Sequence, residues 1–217
     1  MIEGLKEVEA TLRAKSIPFH LLRGNPVENI TAFVSQHKAV CLVTDFSPLR
    51  VPLSWVNSVA ARLDSSSAAE NLVPFVQIDA HNIVPVWVAS SKLEYSARTI
   101  RSKIDRLIPQ YLKPIPAIDD NAAGSLHGCE LTNWVSALAS LEINREVGPV
   151  DWIKPGATAA RAVLESFGAT RLKDYASMRN NPNKNSCSNL SPYFHFGTIS
   201  AQQAVIHIKS LRRLVVL

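Results

Sequence analysis

The sequence has few cysteines, no long apolar run and no glycine-rich nucleotide-binding motif. Its three cysteines, Cys41, Cys129 and Cys187, are an odd number without a C-x-x-C pair. This pattern argues against a disulfide framework and against a zinc knuckle. No stretch approaches the roughly eighteen apolar residues of a membrane span, and the first residues lack the basic-then-apolar order of a secretory signal. A reducing compartment away from membranes is therefore predicted.

The missing glycine motifs narrow the class of protein further. Neither G-x-G-x-x-G nor G-x-x-x-x-G-K-[ST] occurs, which weakens the hypothesis of a plain nucleotide-binding α/β protein without removing it. The chain also has no internal repeat and no low-complexity stretch. It does have 47% hydrophobic residues over a length of 217, enough to bury a core in one domain or in two small ones.

Positive charge is concentrated in the last third of the chain. Residues 1–150 hold fourteen Lys and Arg against fifteen Asp and Glu, whereas residues 151–217 hold nine against three. A basic segment of this kind suits a polyanion such as DNA, because neutralisation of phosphates supplies much of the affinity for DNA. A solvated basic surface without a partner is the alternative.

Strand and helix patterns alternate in the first half of the chain. An amphipathic helix begins near Ile2, and strands are predicted at 17–22, 39–44 and 73–78. The second of these strands is a continuous apolar run, typical of a buried parallel strand, and Cys41 within it is expected to be buried. This alternation predicts a doubly wound, Rossmann-like parallel sheet.

Capping residues and prolines predict where the helices of this half begin and end. Asn25, followed by a proline, predicts a capped helix start. Ser91 and Glu94 predict a capping box for a later helix that turns Leu93 inward. Pro109 is expected to end that helix.

The second half of the chain is predicted to be helical only. Residues 112–150 are predicted to be an interdomain connector with one short helix near 134–141. From Trp152 onward a helix is predicted between Pro155 and Gly168, with an apolar stripe at helical spacing.

Polar residues that suit an anion lie between residues 175 and 200. Ser188 and Ser191 offer hydroxyl donors, and Ser200 with Gln203 predicts a capping box that begins a further helix. Hydroxyls, cations and the free amides of a helix start together form an anion site, because those amides have no partner within the helix. Simple capping of turns and helices is the more frequent reason for such serines.

The order of residues in this stretch closely resembles the flavin-binding region of the DNA photolyase and cryptochrome family. It runs from Tyr175 through Arg179 and Pro182 to the decapeptide Ser-Asn-Leu-Ser-Pro-Tyr-Phe-His-Phe-Gly at 188–197. Other runs are similar to the class II cyclobutane pyrimidine dimer photolyases in particular: Val-Thr-Asp-Phe-Ser-Pro-Leu-Arg at 43–50, residues 79–87 with 94–101, and Trp-Ile-Lys-Pro-Gly at 152–156. The resemblance extends over roughly residues 17–208.

The resemblance implies an α/β domain followed by an all-α domain. Residues 1–111 would form a photolyase-type α/β domain that lacks its first strand, so that its Rossmann-like sheet is incomplete. Residues 112–150 would be the connector, and residues 151–217 the start of the helical FAD-binding domain. The chain is thus expected to be shortened at both ends, and its last residues stop in an apolar run without a cap.

The resemblance also implies a function in DNA repair, in which reduced FAD, excited by blue light, donates an electron to a cyclobutane pyrimidine dimer and splits it. The residues implied to contact the FAD phosphates and ribityl chain are Tyr175, Ser188, Asn189, Leu190, Ser191 and Pro192. Arg179 is implied to contact the DNA backbone, where a guanidinium makes a two-pronged bond to a phosphate. A salt bridge from Arg179 to Asp174 or Glu165 is the alternative.

Several further expectations follow from the resemblance. The partner would be DNA containing pyrimidine dimers, bound by a monomer in the nucleus or an organelle. An antenna pigment is a further ligand near Asp45, Ser47 and Arg50, although helix capping explains the first two equally well. His81 and His195 are expected to fix backbone geometry through ring hydrogen bonds rather than to transfer protons.

No catalytic residue is assigned, because the family's electron-relay aromatics and its substrate-facing acid are expected outside this chain. The chain by itself is therefore expected to bind FAD weakly or not at all and to be inactive. The alternative function is a non-catalytic truncated isoform or a cryptochrome-like module that senses blue light or binds a partner.

Overall fold

Ten α-helices, one π-helical turn and two β-strands are present in the described part of the chain. A computed structural model describes residues 1–66, 72–120, 126 and 129–214. The helices are α1 (Ile2–Arg13), α2 (Pro26–Gln36), α3 (Arg50–Ser66), α4 (Val86–Ala89), α5 (Ala97–Tyr111), α6 (Trp134–Ala139), α7 (Ala157–Ser166), α8 (Leu172–Met178), α9 (Ser191–His195) and α10 (Ala201–Leu214). The strands are β1 (Leu42–Asp45) and β2 (Phe75–Ile78), and the π-helical turn, Phe167–Arg171, joins α7 to α8.

The contacts divide the chain into two compact units. Residues 21–111 form an α/β unit, and residues 1–20 together with 112–217 form a helical unit. In this division α1 belongs with the later helices. The sequence-based domain bounds at 111 and 150 stay a prediction.

The α/β unit is built on a parallel pair of strands, as the sequence predicts. β1 and β2 pair in register from Leu42 opposite Phe75 to Asp45 opposite Ile78. Leu42 and Phe75 pack against a core on α2 and α3 that consists of Val27, Val34, Val59 and Leu63. Asn25 caps α2, because its Oδ1 accepts hydrogen bonds from the amides of Val27 at 3.0 Å and Glu28 at 3.4 Å.

The prediction of a fully buried strand at 39–44 is wrong. Exposure alternates along both strands, and Val43 and Val76 lie on the open face, 56% and 43% exposed. Cys41, expected in the core, is exposed. Successive side chains of a strand point to opposite faces, so a sheet with helices against one face buries only half of them.

The predicted strand at 17–22 is also absent. Ser16 takes a left-handed conformation, with φ of 56°, and the amide of Ile17 donates to the carbonyl of Leu12 at 2.9 Å. The carbonyl of Phe19 accepts a hydrogen bond from the Cys129 thiol at 3.4 Å. Residues 17–20 therefore follow the end of α1 and belong to the helical unit rather than to the sheet of the α/β unit.

The start and the end of α5 differ from the predicted ones. α5 begins at Ala97, capped by the hydroxyl of Ser96, and Leu93 is 93% exposed. Glu94 does not act in a capping box, because its carboxylate accepts hydrogen bonds from Ser90 at 2.8 Å and from Lys103 at 2.5 Å. α5 continues past Pro109 to Tyr111, since a proline near the end of a helix removes only one backbone hydrogen bond.

The Ser90–Glu94–Lys103 cluster gives the α/β unit an internal ion pair. The Glu94 side chain is 5% exposed. Hydrogen bonds from Lys103, Thr99 and Ser90 lower the pKa of Glu94 to about 2, against the weaker opposite effect of burial. The carboxylate therefore stays charged over most of the pH range.

The helical unit has one core, formed by α7, the segment before α9, α9 and α10. The buried residues are Ala160, Leu164, Leu190, Tyr193, Ile199 and Ala204. The hydroxyl of Ser200 accepts a hydrogen bond from the amide of Gln203 at 3.0 Å, as the predicted capping box requires. The short helix α6 lies within the range predicted for it.

Gly168 does not end the helix that begins after Pro155. The chain continues through the π-helical turn into α8, and a Cβ at Gly168 would lie 2.5 Å from Cδ1 of Leu211. Gly168 therefore lies against the Leu211 side chain of α10 and does not terminate the helix.

Two acidic residues of α1, Glu7 and Glu9, bond to distant parts of the helical unit. Glu7 Oε2 accepts hydrogen bonds from the first amides of α7, at Ala157 (2.9 Å) and Thr158 (3.1 Å). Gly156 has φ of 102°, and a Cβ there would overlap the Glu7 carboxylate. Helix starts favour such negative charge, so Glu7 caps α7 from a distant part of the sequence.

Glu9 is 4% exposed and is surrounded by donors. Its carboxylate accepts hydrogen bonds from the amide and hydroxyl of Thr132, both at 2.9 Å, and from Nε1 of Trp134 at 2.7 Å. Burial alone would raise the pKa of Glu9, but these hydrogen bonds and the nearby charge of Arg13 lower it below its ordinary value.

Candidate functional site

The candidate site is the segment 186–192 together with the α8 region beside it. Ser186 is 6% exposed and Leu190 is 3% exposed, so the segment is buried at both points. Between them, Cys187 and Asn189 are exposed and Ser188 is half-buried. The fold therefore holds a short, polar stretch of backbone at the surface between two buried residues.

Local hydrogen bonds define the turn before α9. The hydroxyl of Ser188 accepts a hydrogen bond from the amide of Leu190 at 3.4 Å. Asn189 has φ of 59°, a left-handed conformation that asparagine tolerates better than most residues. α9 then begins at Ser191. This turn is a product of local side-chain bonding, in line with the capping alternative for Ser188.

The predicted cofactor residues of this segment have different exposures. Leu190 packs in the helical core, so only its backbone is available to a ligand. Ser191 is exposed, and its side chain has no hydrogen bond within the described residues. Pro192 is half-buried. The outward-facing polar side chains are therefore those of Asn189 and Ser191, with Ser188 partly accessible.

Tyr175, on α8, and Arg179, the residue directly after α8, are four positions apart and contact each other. The guanidinium of Arg179 lies over the Tyr175 ring, 5.7 Å from its centroid. Tyr175 also packs edge-to-face with Phe167, with centroids 5.5 Å apart. These two contacts together restrict the orientation of the Tyr175 ring.

The alternative role of Arg179 in a salt bridge is not realised. Neither Asp174 nor Glu165 pairs with it, and no ion pair of Arg179 occurs in residues 1–66, 72–120, 126 and 129–214. Its side chain is exposed, while its carbonyl accepts a hydrogen bond from the Cys187 thiol at 3.5 Å. Arg179 thus touches the segment with its backbone and keeps its charge toward solvent.

Two cavities meet at Asn189. The first, about 370 Å³, is lined by apolar residues of α7 and by Trp152, Lys154, Arg171, Asn189 and Tyr193. The second, about 640 Å³, is lined by Arg179, Asn189 and the asparagine-rich stretch between them, including Lys184. None of the described residues that line either cavity is acidic. The structure thus brings Arg179 and Asn189 to one cavity, whereas Tyr175, Ser188, Ser191 and Pro192 line neither.

Tyr193 supports the wall of the first cavity. Its hydroxyl donates to the carbonyl of Lys154 at 2.7 Å. Burial raises the pKa of Tyr193, so the phenol stays protonated and keeps this bond. The bond joins α9 to the segment that precedes α7.

The remaining candidates lie outside this site. In the α/β unit, Nε2 of His81 contacts Oδ2 of Asp45 at 2.8 Å, and Asp45 Oδ1 accepts the amide of Ala80 at 3.1 Å, a ring contact of the expected kind. The ring of His195 packs edge-to-face on Phe196, and no ring hydrogen bond of His195 occurs in the described residues, so its expected role is not realised.

Sequence reasoning missed Arg171. Its Nη1 donates to the carbonyl of Cys187 at 2.9 Å, and its guanidinium lies 5.8 Å from the centroid of Phe167. Arg171, Tyr175 and Arg179 follow one another at intervals of four, the spacing of one helix face. That spacing was the available signal.

Comparison with known proteins gives the class to which this chain belongs. The DNA photolyase family model matches residues 1–119, more than half of the chain. The chain belongs to the DNA photolyase family. None of the helices in the described residues is both long and apolar enough to cross a membrane.

Three curated relatives carry the name deoxyribodipyrimidine photo-lyase. The chain is 45% identical to the protein of Potorous tridactylus, over 98% of this chain and 39% of the relative. It is 39% identical to the protein of Arabidopsis thaliana and 37% identical to that of Oryza sativa subsp. japonica, over 98% and 99% of this chain and 43% of each relative. The chain thus spans about two fifths of the length of these relatives.

Proposed function

We propose that this chain is the flavin-phosphate and DNA-contacting part of a class II deoxyribodipyrimidine photolyase, a repair enzyme for cyclobutane pyrimidine dimers in DNA. The name that three relatives share supports the activity. The observation that carries the assignment to this site is the polar segment 187–189, which is held at the surface between buried Ser186 and buried Leu190.

The chemistry of the segment fits the diphosphate of FAD. Ser188 and Ser191 supply hydroxyls, Asn189 supplies a carboxamide, and Arg171 adds positive charge nearby. Phosphate oxygens accept hydrogen bonds from all three kinds of group, and the described residues that line the two cavities include no acidic side chain to repel them. FAD, when bound and reduced, supplies the light-driven electron; the residues of this chain bind and orient it.

Arg179 supports the proposal of a DNA contact. The guanidinium is exposed, lacks an ion pair in the described residues and faces a cavity that Lys184 also lines. An unpaired arginine on a basic surface is suited to a backbone phosphate. The family resemblance further supports an intracellular monomer, in the nucleus or an organelle, and an antenna pigment near Asp45.

Flavin binding is the direct test of this proposal. The purified chain is titrated with FAD, and binding is followed by the blue absorption and the fluorescence of the flavin. The double variant Ser188→Ala, Ser191→Ala is expected to weaken FAD binding about tenfold or more, since two hydrogen bonds to charged phosphates are lost. Ser210→Ala, at an exposed serine of α10 that bonds only to the carbonyl of His207, is the control.

Two results would contradict the proposal. One is a wild-type chain that binds FAD no better than an unrelated basic protein does. The other is FAD binding that is equally strong in the wild-type chain and in the double serine variant, because the phosphates would then lie elsewhere. Light-dependent loss of dimers from an irradiated oligonucleotide, absent in the dark, measures the activity itself.

A further inference from the structure

Arg171 joins the α7–α8 connection to the candidate site. It is sixteen residues before Cys187, yet its Nη1 lies 2.9 Å from the carbonyl oxygen of Cys187. The guanidinium also lies over the Phe167 ring, 5.8 Å from the centroid. A half-buried, stacked arginine loses less side-chain entropy in each hydrogen bond than a mobile one, so this contact is well suited to fix backbone.

The π-helical turn determines where Arg171 lies. The amide of Leu172 donates to the carbonyl of Phe167, five residues earlier, which is the hydrogen bond of a π-helix. This turn has one residue more than a turn of α-helix, so it rotates α7 about the helix axis relative to α8. Gly168 lies within the turn, against Leu211 of α10. The packing of α10 thus reaches Arg171 through the backbone.

Cys187 is held a second time from the other end of α8. Its thiol donates to the carbonyl of Arg179, with 3.5 Å between the sulfur and the oxygen. The residue before α8 therefore binds the Cys187 carbonyl, and the residue after α8 binds the Cys187 side chain. Both contacts place the peptide that leads directly into Ser188.

The neighbouring turn needs such support. Asn189 is in the left-handed region, with φ of 59°, a conformation that few residues other than glycine adopt and that asparagine tolerates better than most. Leu190 holds the far end of the turn in the core. At the near end, the Arg171 bond is the charged contact that holds the backbone.

We propose that Arg171 is a positioning residue: it holds the 187–190 turn in the conformation that presents Ser188 and Ser191 to the FAD phosphates. This inference rests on the proposed function for the role of the turn. The anchoring itself concerns this chain without any ligand. Through Arg171, the α7–α8 connection becomes part of the site, although Arg171 lines only the first of the two cavities.

The test compares Arg171→Met, Arg171→Lys and Arg161→Met in the full chain. Methionine keeps an apolar stem over Phe167 but removes the donors, whereas lysine keeps a charged donor. Arg161 is exposed on α7 and has no ion pair in the described residues, so Arg161→Met is the control. Amide hydrogen exchange at 188–190 is measured without flavin, followed by titrations with FAD and with riboflavin, which lacks the phosphates.

The expected results are specific to the turn. Exchange at 188–190 should be about tenfold faster in Arg171→Met, the loss expected for one charged hydrogen bond, and partly restored in Arg171→Lys. Affinity for FAD should fall by a similar factor, while affinity for riboflavin stays unchanged. A merely structural loss of stability would not change the preference for FAD over riboflavin.

Unchanged exchange at 188–190 in Arg171→Met would overturn the inference, whether or not flavin binds. Faster exchange with unchanged FAD affinity would overturn the positioning role. If the wild-type chain binds neither flavin, the proposed function fails for this chain, and the exchange data alone decide whether Arg171 anchors the turn.

Discussion

Charged side chains have different partners around α1 and around α8, two regions of the same helical unit. Glu7 and Glu9 on α1 are each satisfied by donors of the unit itself, including the amides of Ala157 and Thr132. Around α8, Arg179 has no ion pair in the described residues, and Arg171 donates to the carbonyl of Cys187, sixteen residues further along the chain. Charged groups that are bonded within the unit, such as Glu7 and Glu9, stabilise the fold. Charged groups without an ion pair, such as Arg179, are available to an anionic ligand.

The α/β unit also has a charged side chain that is bonded within the fold. Glu94 is paired with Lys103 and Ser90 and is nearly inaccessible to solvent. Like Glu9, it has a lowered pKa. If the distinction is correct, substitutions at Glu9 and Glu94 change stability, whereas substitution at Arg179 changes binding and leaves stability nearly unchanged.

The largest effect is expected for Glu9→Ala. Removing the buried carboxylate leaves the half-buried donors of Thr132 and Trp134 without this acceptor, which should lower the free energy of unfolding by about 3 kcal/mol. Urea denaturation measures this change. Glu3→Ala, which removes an exposed bridge to Lys6, should cost less than about 1 kcal/mol. Equal losses in the two variants would remove the distinction between internal and surface carboxylates.

A pH-dependent effect is expected for Glu94→Gln. The pKa of Glu94 is lowered from 4.5 to about 2 in the folded chain, so its carboxylate contributes stability at pH above 4.5. That contribution is lost as the pH falls from 4.5 toward about 2. The difference in unfolding free energy between wild type and Glu94→Gln should therefore shrink over this window. Asp105→Asn, at an exposed position of α5, is the control, and a constant difference for Glu94→Gln would contradict the ion-pair assignment.

Arg179→Ala tests a charged side chain that has no ion pair in the described residues and is proposed to bind DNA. If Arg179 binds a DNA phosphate, the slope of log affinity against log salt should become less steep by about 0.9 for duplex DNA, across all flanking sequences. FAD affinity should hardly change. Lys173→Ala, exposed on the same helix, is the matched control. Lower FAD affinity with an unchanged salt slope would place Arg179 in the flavin site instead.

The smallest effect is expected for Leu93→Gln. Leu93 is 93% exposed, although its place in the apolar pattern predicts an inward position. The change in unfolding free energy should stay within about 0.5 kcal/mol, as for ordinary surface substitutions. A loss of 2 kcal/mol or more would mean that Leu93 is buried, as the pattern predicts.

Much of the local structure could be predicted because it depends on neighbours in the sequence. Asn25 and Ser200 cap the helices that follow them, and the apolar stripe of α7 faces the core. The errors occurred where a distant residue competes with the local pattern. Glu94 pairs with Lys103 rather than capping a helix, and Gly168 packs on Leu211 rather than ending one.

The candidate site, too, could be predicted only where it depends on neighbouring residues in the sequence. The residues of the 188–192 segment could be named from their order alone, and their assignment to FAD stays a prediction. The contacts that hold the segment could not be named, because Arg171 and Arg179 reach Cys187 across sixteen and eight residues of sequence. The spacing of Arg171, Tyr175 and Arg179 indicates a shared helix face but gives no partner.

The sequence by itself determined the family, the helix caps and the chemical types of group in the site, because these depend on residue identity and on spacing along the chain. The tertiary structure alone decided which charges are consumed inside the fold and which remain at the surface. Glu7 and Glu9 are satisfied by residues more than one hundred positions away, and Arg171 is directed to Cys187 by a π-helical turn that no local pattern predicts. Pairing over such distances depends on how the helices pack, and packing is a property of the whole core.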